Sequence, residues 1–232
     1  MILYGVGVGP GDPELMTIRA VRTLDSADVV FIPVSDFGKR SVAGEIYTHL
    51  GEKRKTHPFR FPMTTDTAVR DAGIRSSLDE LRSVWEGAES VALPVIGDSA
   101  LYATVAYLYS VWRDICPALE LKLLPGISAH SLSSCLTGEF LAMGTERLSI
   151  LPGSNDVGRL AESMRTSDCV ALYKPSAVGN MLTELVESTG PWSKAVRVHR
   201  AGLPEQSIVT GDEAAMPTDD YLSVLLLWRD RK

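Results

Sequence analysis

Short apolar runs alternate along this chain with stretches whose apolar residues recur at helical spacing. Residues 2–8 read as a strand, and 14–25 as a helix with Leu15, Ile18, Val21 and Leu24 on one buried face. Residues 29–34 form a β-branched run, 41–50 a helix, and 53–61 a strand carrying basic residues. Over 66–85 the positions Val69, Ile74, Leu78, Leu81 and Val84 predict one long helix. Residues 90–96, 101–112, 119–124 and 128–136 continue as strand, helix, strand and helix. This alternation predicts a parallel, doubly wound α/β unit. The aperiodic, glycine-containing stretch 138–144 marks a boundary, giving an N-terminal lobe over 1–137 and a C-terminal lobe over 138–232. Beyond it, 148–151 and 169–173 read as strands, with helices after Asn155 and over 177–187. Runs at 195–201, 207–209 and 222–228 then follow with little helix between them, which predicts antiparallel pairing and a mixed sheet. The expected fold is therefore two α/β lobes with the active site in the cleft between them.

Composition narrows the class. The 232 residues, 45% apolar and 22% charged, suffice for one large or two small domains with real cores. No apolar run reaches membrane-spanning length, and the opening Met1-Ile2-Leu3-Tyr4-Gly5 has neither the basic region nor the cleavage site of a signal peptide. A cytoplasmic protein is expected. Cys116, Cys135 and Cys169 are odd in number and widely spaced, which argues against a disulfide framework and a zinc site, so no metal is expected. The net charge of −6 speaks against nucleic acid as a partner but leaves room for a local basic pocket.

The candidate chemistry lies in the turns that end strands. Gly5, Gly7, Gly9 and Gly11 alternate directly after the first strand, and Asp12 and Pro13 suit a helix N-cap and first helical position. The register is not G-x-G-x-x-G, and no Gly-Lys-Ser/Thr follows, so neither a dinucleotide nor a nucleoside-triphosphate loop is present. Three further turns join it: Gly97-Asp98-Ser99, Pro125-Gly126-Ile127-Ser128-Ala129 and Tyr173-Lys174-Pro175-Ser176. In a parallel sheet such turns crowd at one edge, where ligands bind. Asp98 caps the helix at Leu101 or meets a cationic group of a ligand. Ser128 sits close to a nucleophile elbow, but His130 replaces its final glycine, so a helix cap is the simpler reading. Lys53, Arg54, Lys55, His57 and Arg60 are either a solvated edge strand or a rim for a polycarboxylate. His49, His57, His130 and His199 lack metal-ligand spacing and read as surface or capped residues, while the four tryptophans read as packing residues.

Taken in order, these turns resemble the tetrapyrrole methyltransferases, the S-adenosylmethionine-dependent enzymes of sirohaem and cobalamin synthesis. The matching segments are Gly7-Val8-Gly9-Pro10-Gly11-Asp12-Pro13 with Leu15-Met16-Thr17, Gly97-Asp98-Ser99-Ala100-Leu101-Tyr102, Pro125-Gly126-Ile127-Ser128-Ala129, Tyr173-Lys174, and Arg200-Ala201-Gly202-Leu203-Pro204-Glu205-Gln206. The opening segment from Tyr4, the extended stretch 36–85 and the Tyr173-Lys174 pair are most similar to the branch that methylates C20 of precorrin-2 or its cobalt form. Ser99 departs from the family's usual proline and is expected to loosen its turn.

The resemblance implies S-adenosylmethionine held in the cleft by Pro10, Gly97, Asp98, Tyr102, Ser128, Ala129, Tyr173, Lys174 and Ala201. It implies a tetrapyrrole beside Gly9, Gly11 and Asp12, its carboxylates met by Lys39, Arg40, Lys53, Arg54 and Arg60. A homodimer is likewise implied. No residue stands out as the base that removes the C20 proton. Alternatives are another tetrapyrrole methylation (uroporphyrinogen III at C2 and C7, or a later precorrin step), a serine hydrolase at Ser128, and a non-catalytic tetrapyrrole-binding module.

Overall fold

In the computed structural model, which describes residues 1–35, 40–49 and 56–231, the apolar runs of the first half become five strands: β1 (Ile2–Gly7), β2 (Val29–Val34), β3 (Thr56–Arg60), β4 (Ser90–Val95) and β5 (Glu120–Leu124). They form one sheet in the order β3-β2-β4-β1-β5, with every pairing parallel. The helices α1 (Ile18–Ser26), α2 (Val42–His49), α3 (Thr67–Glu80), α4 (Arg82–Trp85) and α5 (Val105–Ile115) lie between them in sequence. Alternate strand residues serve two different cores. Leu3, Phe31, Leu93 and Val95 pack with Ile74 and Leu78 of α3 and Leu108 and Trp112 of α5. Val6, Val30 and Ala92 pack with Ala20, Leu24, Ile46 and Tyr47 of α1 and α2. A parallel sheet covered on both faces needs apolar residues at every strand position, which is why these runs are continuous and not alternating.

Helix boundaries depart from expectation where caps intervene. Asp12 accepts from the Glu14 N–H and starts a 3₁₀ turn, Pro13–Leu15, not the main helix. Thr17 then caps α1 through the Ala20 N–H, so Ile18 falls at the helix start and is 71% exposed instead of buried. Asp66 caps α3 by accepting from Ala68 and Val69, and the expected long helix breaks at Leu81 into α3 and α4. Val69 is exposed.

The second half forms β6 (Leu148–Pro152), β7 (Cys169–Tyr173), β8 (Lys194–His199), β9 (Ser207–Thr210) and β10 (Ser223–Trp228), with α6 (Ala129–Thr137), α7 (Val157–Arg165) and α8 (Leu182–Thr189). The order is β6-β7-β10-β8-β9; β6 and β7 are parallel and the other pairings antiparallel, so the sheet is mixed. Val170, Leu172, Leu225 and Leu227 face α7 and α8, while Ala171, Val196, Val198 and Leu226 face Ala129 and Leu132 of α6. The chain accordingly separates into two compact units, Met1–Ser128 and Ala129–Lys232. The boundary expected after residue 137 falls one helix later than this division, because α6 packs on the second sheet.

Candidate functional site

In the first unit the three glycine-bearing turns follow β4, β1 and β5, which are adjacent strands running the same way, so their ends share one edge. There backbone meets backbone. The Gly9 N–H donates to Gly97 O at 3.2 Å, and the Gly97 N–H donates to Gly9 O at 2.7 Å. A Cβ on Gly126 would stand 2.3 Å from Gly97 O and 2.8 Å from the Gly7 carbonyl carbon. A Cβ on Gly7 would meet the Gly126 nitrogen at 2.6 Å. Only glycine permits this approach. Asp98 fastens the arrangement: Oδ1 accepts from the Ala100 N–H at 2.8 Å and Oδ2 from the Gly126 N–H at 3.0 Å. It stabilises a turn, not the helix expected at Leu101, since α5 begins at Val105. Ser99 also corrects its expectation. It is buried and donates to Leu124 O at 2.7 Å, tying the turn to β5 instead of loosening it. Pro10 and Gly11 are buried beside Gly9, while Tyr102 is exposed with φ of 51°, and desolvation pushes its phenol pKa up.

In the second unit, β7 and β8 both run antiparallel to β10, so the start of β10 lies between their ends. The turns after Tyr173 and His199 and the segment Asp220-Tyr221-Leu222 therefore share one edge, and side chains fill it. Lys174 (φ 51°) donates its backbone N–H to Ser223 O, and its ammonium lies 4.6 Å from the Tyr221 ring centre. The Tyr173 hydroxyl accepts from the His130 backbone N–H at 3.2 Å and lies 2.7 Å from His130 Nδ1, at the start of α6. Arg200 (φ 49°) donates its N–H to Leu222 O at 2.7 Å and points Nε at Asp220 Oδ2, 3.6 Å away. Ala201 is buried in the core beneath this turn.

The sequence reading missed the side chains behind that turn. Arg197, 5% exposed, donates from Nε to His199 Nε2 at 3.0 Å and from Nη1 to the carbonyls of Ala214 and Met216. His199 Nδ1 lies 3.2 Å from Asp220 Oδ2. Burial pulls the Arg197 pKa down, partly offset by Glu213 and Asp220. The sequence signal was Arg197-x-His199, two polar residues on one strand face among apolar neighbours. His130 and His199, read as surface or capped residues, are both buried.

Arg40 is exposed and paired with Glu45, and Arg60 ends the edge strand β3. The expectations for Lys39, Lys53 and Arg54 lie outside the described residues. Ser128 directly precedes α6, and the following His130, where an elbow would close on glycine, is buried against Tyr173. Burial drives the Cys169 thiol pKa up to about 12, in keeping with a core residue. Among the described residues there is no group of three metal-ligating side chains and no helix long and apolar enough to cross a membrane.

A parallel sheet whose strand-end turns meet backbone to backbone, joined in sequence to a mixed sheet with a polar edge, defines a class of two-unit α/β protein. Residues 2–217 match the family model of the Tetrapyrrole (Corrin/Porphyrin) Methylases, and the chain belongs to that family. It is 28% identical to the probable cobalt-precorrin-2 C(20)-methyltransferase of Methanocaldococcus jannaschii, over 99% of this chain and 97% of the relative. It is also 28% identical to the precorrin-2 C(20)-methyltransferase of a Sinorhizobium species, over 99% and 96%. Its fold is similar to the crystal structure of the uroporphyrin-III C-methyltransferase from Thermus thermophilus complexed with S-adenosyl homocysteine. That match has a TM-score of 0.70 at 18% identity and covers 98% of this chain and 97% of the other.

Proposed function

We propose that this chain is an S-adenosylmethionine-dependent C-methyltransferase that methylates C20 of precorrin-2 or its cobalt-loaded form in cobalamin synthesis. The observation that carries the reading is the near full-length similarity to relatives named for that methylation. The geometry supports a donor held mainly by backbone. A Cβ added at the buried Gly97 would meet only Ile127 O, at 3.9 Å, while Gly7 and Gly126 allow close approach of the flanking turns. Asp98 spends one carboxylate oxygen on each of two N–H groups and retains lone pairs for a cationic ligand group. Pro10, Tyr102, Ser128, Ala129, Tyr173, Lys174 and Ala201 complete the proposed donor contacts. Gly9, Gly11, Asp12, Arg40 and Arg60 are assigned to the tetrapyrrole.

The chemistry asks little of acid–base groups. The C20 carbon attacks the sulfonium methyl, the carbon–sulfur bond breaks to leave S-adenosylhomocysteine, and C20 then releases its proton. Positioning in a near-attack geometry can supply up to roughly 7–11 kcal/mol of such a barrier. A homodimer is part of the proposal. Exposed Leu123 on the edge strand β5 and exposed Tyr107 on α5 line one groove with Ala103 and Ala106, a surface suited to a second copy. A cytoplasmic location is supported by three free cysteines.

The test is turnover with metal-free and cobalt-loaded precorrin-2 side by side. The expected product carries one added methyl at C20, with one S-adenosylhomocysteine released per product. Methylation at another carbon would place the chain in a neighbouring branch. Tetrapyrrole binding without S-adenosylhomocysteine would make it a binding module.

A further inference from the structure

We infer that Met63 is a contact for the apolar face of the tetrapyrrole ring, presented by the turn that follows β3. The inference deepens the proposed function and rests on its reading of the substrate as a tetrapyrrole. Topology places the turn. The helix after β1, α1, lies on one face of the first sheet and the helix after β4, α5, on the other, so the winding reverses between neighbouring β1 and β4. In an open doubly wound sheet the crevice at that reversal receives the ligand. Here Gly9 and Gly97 close it with their pair of backbone hydrogen bonds. A ligand at this edge therefore lies over the turns and spreads along them. On one side the Gly126 turn stands against Gly97 and Gly7. On the other, β2 and β3 run parallel to β4, and the turn after β3 reaches the same edge two strand spacings, about 10 Å, from β4.

That turn is held at both ends and displays Met63 between them. Phe61 extends the strand pairing by donating its N–H to Val34 O at 2.8 Å, and its buried ring lies 5.0 Å from that of Phe59. Pro62 sits so close on α3 that a Cβ on Gly73 would stand 2.3 Å from its Cγ. Beyond Met63, the Thr64 hydroxyl accepts from the Asp66 N–H at 3.1 Å, and Asp66 caps α3. Between these anchors Met63 is 70% exposed. A single exposed apolar side chain is ordinary; here its place gives it meaning. Arg60, three residues earlier, ends β3 at the same edge. A tetrapyrrole is a flat apolar ring with carboxylates on its rim, so recognition needs apolar surface and cations side by side. Arg60 and Met63 supply one of each. The unbranched, polarisable thioether of methionine conforms readily to a broad unsaturated ring.

The experiment titrates the full chain, with S-adenosylhomocysteine present, against sirohydrochlorin, which carries the ring and carboxylates of precorrin-2, and reads fluorescence quenching. Met63→Ser should weaken sirohydrochlorin binding about tenfold, the loss of one apolar contact of that size. Its affinity for S-adenosylhomocysteine and its urea midpoint should match wild type, because so exposed a side chain supports little of the fold. Met63→Leu, apolar and of similar volume, should bind within about twofold of wild type. Phe140→Ser is the control: Phe140 is 68% exposed and its carbonyl accepts from Trp228 Nε1, at the opposite end of β10 from the Lys174 turn. It too should bind within about twofold of wild type. Unchanged binding by Met63→Ser would overturn the inference, as would a Leu variant as weak as the Ser variant or an equal loss in Phe140→Ser. A loss of affinity that comes with a lowered midpoint would make Met63 a support of its turn and overturn the contact. Each of these leaves the tetrapyrrole reading standing. Absence of sirohydrochlorin binding in the wild type would overturn that reading, and the inference with it.

Discussion

The two units build the same feature, an edge where strand-end turns gather, from different materials. In Met1–Ser128 the edge is backbone: Gly7, Gly9, Gly97 and Gly126 touch directly, and Asp98 and Ser99 pin the turns from the side. In Ala129–Lys232 it is side chains: Lys174 on Tyr221, Tyr173 on His130, and Arg197, His199, Asp220 and Arg200 in series. Sheet direction accounts for the contrast. Parallel β4, β1 and β5 end side by side, and the Gly9, Gly97 and Gly126 turns meet there backbone to backbone. In the mixed sheet β10 starts where β7 and β8 end, and a descending and an ascending chain leave space that long side chains fill. Backbone contact is intolerant of any added atom, whereas side-chain contact can be trimmed.

The severest way to break that comparison is Gly126→Ala. Its Cβ would meet three backbone atoms of Gly97 and Gly7 at 2.3 to 2.9 Å, none of which can rotate away. We expect a loss of about 3 kcal/mol or more, read by urea denaturation, or failure to fold. A variant with unchanged midpoint and donor affinity would show that the edge is not set by backbone packing.

Arg229→Met, next in size, separates side chains that hold the second unit from those that shape its edge. Arg229 follows the far end of β10, stacks 4.3 Å over Trp192, and donates to the carbonyls of Ser167, Thr189 and Pro191 at 2.8 to 3.1 Å. Removing these charge-assisted bonds should cost about 2 kcal/mol in denaturation. Affinity for S-adenosylhomocysteine should hold at a temperature where the variant remains folded. A loss of affinity with no loss of stability would mean that the two ends of β10 are not separable.

The same contrast explains what could be read from residue order. The first edge was legible because close backbone approach demands glycine, and glycines at fixed offsets after an apolar run are visible as a pattern. Both sheets and their pairing directions followed from the spacing of apolar runs. The second edge was half legible: Tyr173-Lys174 stood out as a strand-end turn, and Arg200-Ala201 only through the family resemblance. The cluster behind them did not, because Arg197, His199, Asp220 and the carbonyls of Ala214 and Met216 meet only when β8, the start of β10 and the Gly211–Ala215 turn pack together. Ser99 was misread for a related reason: the partner that makes a serine useful there, Leu124 O, lies 25 residues away.

The smallest expected effect sharpens the comparison most, because the Asp98 side chain links the Gly97 turn to the Gly126 turn. Asp98→Ala leaves the Gly126 N–H and the Ala100 N–H without their acceptor, but creates no clash. Gly126 stays close to Gly97 through packing, so stability should fall by only about 1 kcal/mol. Donor affinity should fall by roughly tenfold, equivalent to about 1.4 kcal/mol, because the proposed contact of the carboxylate with a cationic group of the donor is lost. Calorimetry with S-adenosylhomocysteine reads the second number and denaturation the first. Ser99→Ala is the control: it removes the neighbouring bond to Leu124 O, should cost similar stability, and should leave affinity within about twofold. Were Ser99→Ala to weaken binding as much as Asp98→Ala does, both residues would act only by stiffening the turn. Equal, unchanged affinity in both would mean that glycine packing alone arranges the edge, and the contrast between the two units would then be sharper than drawn.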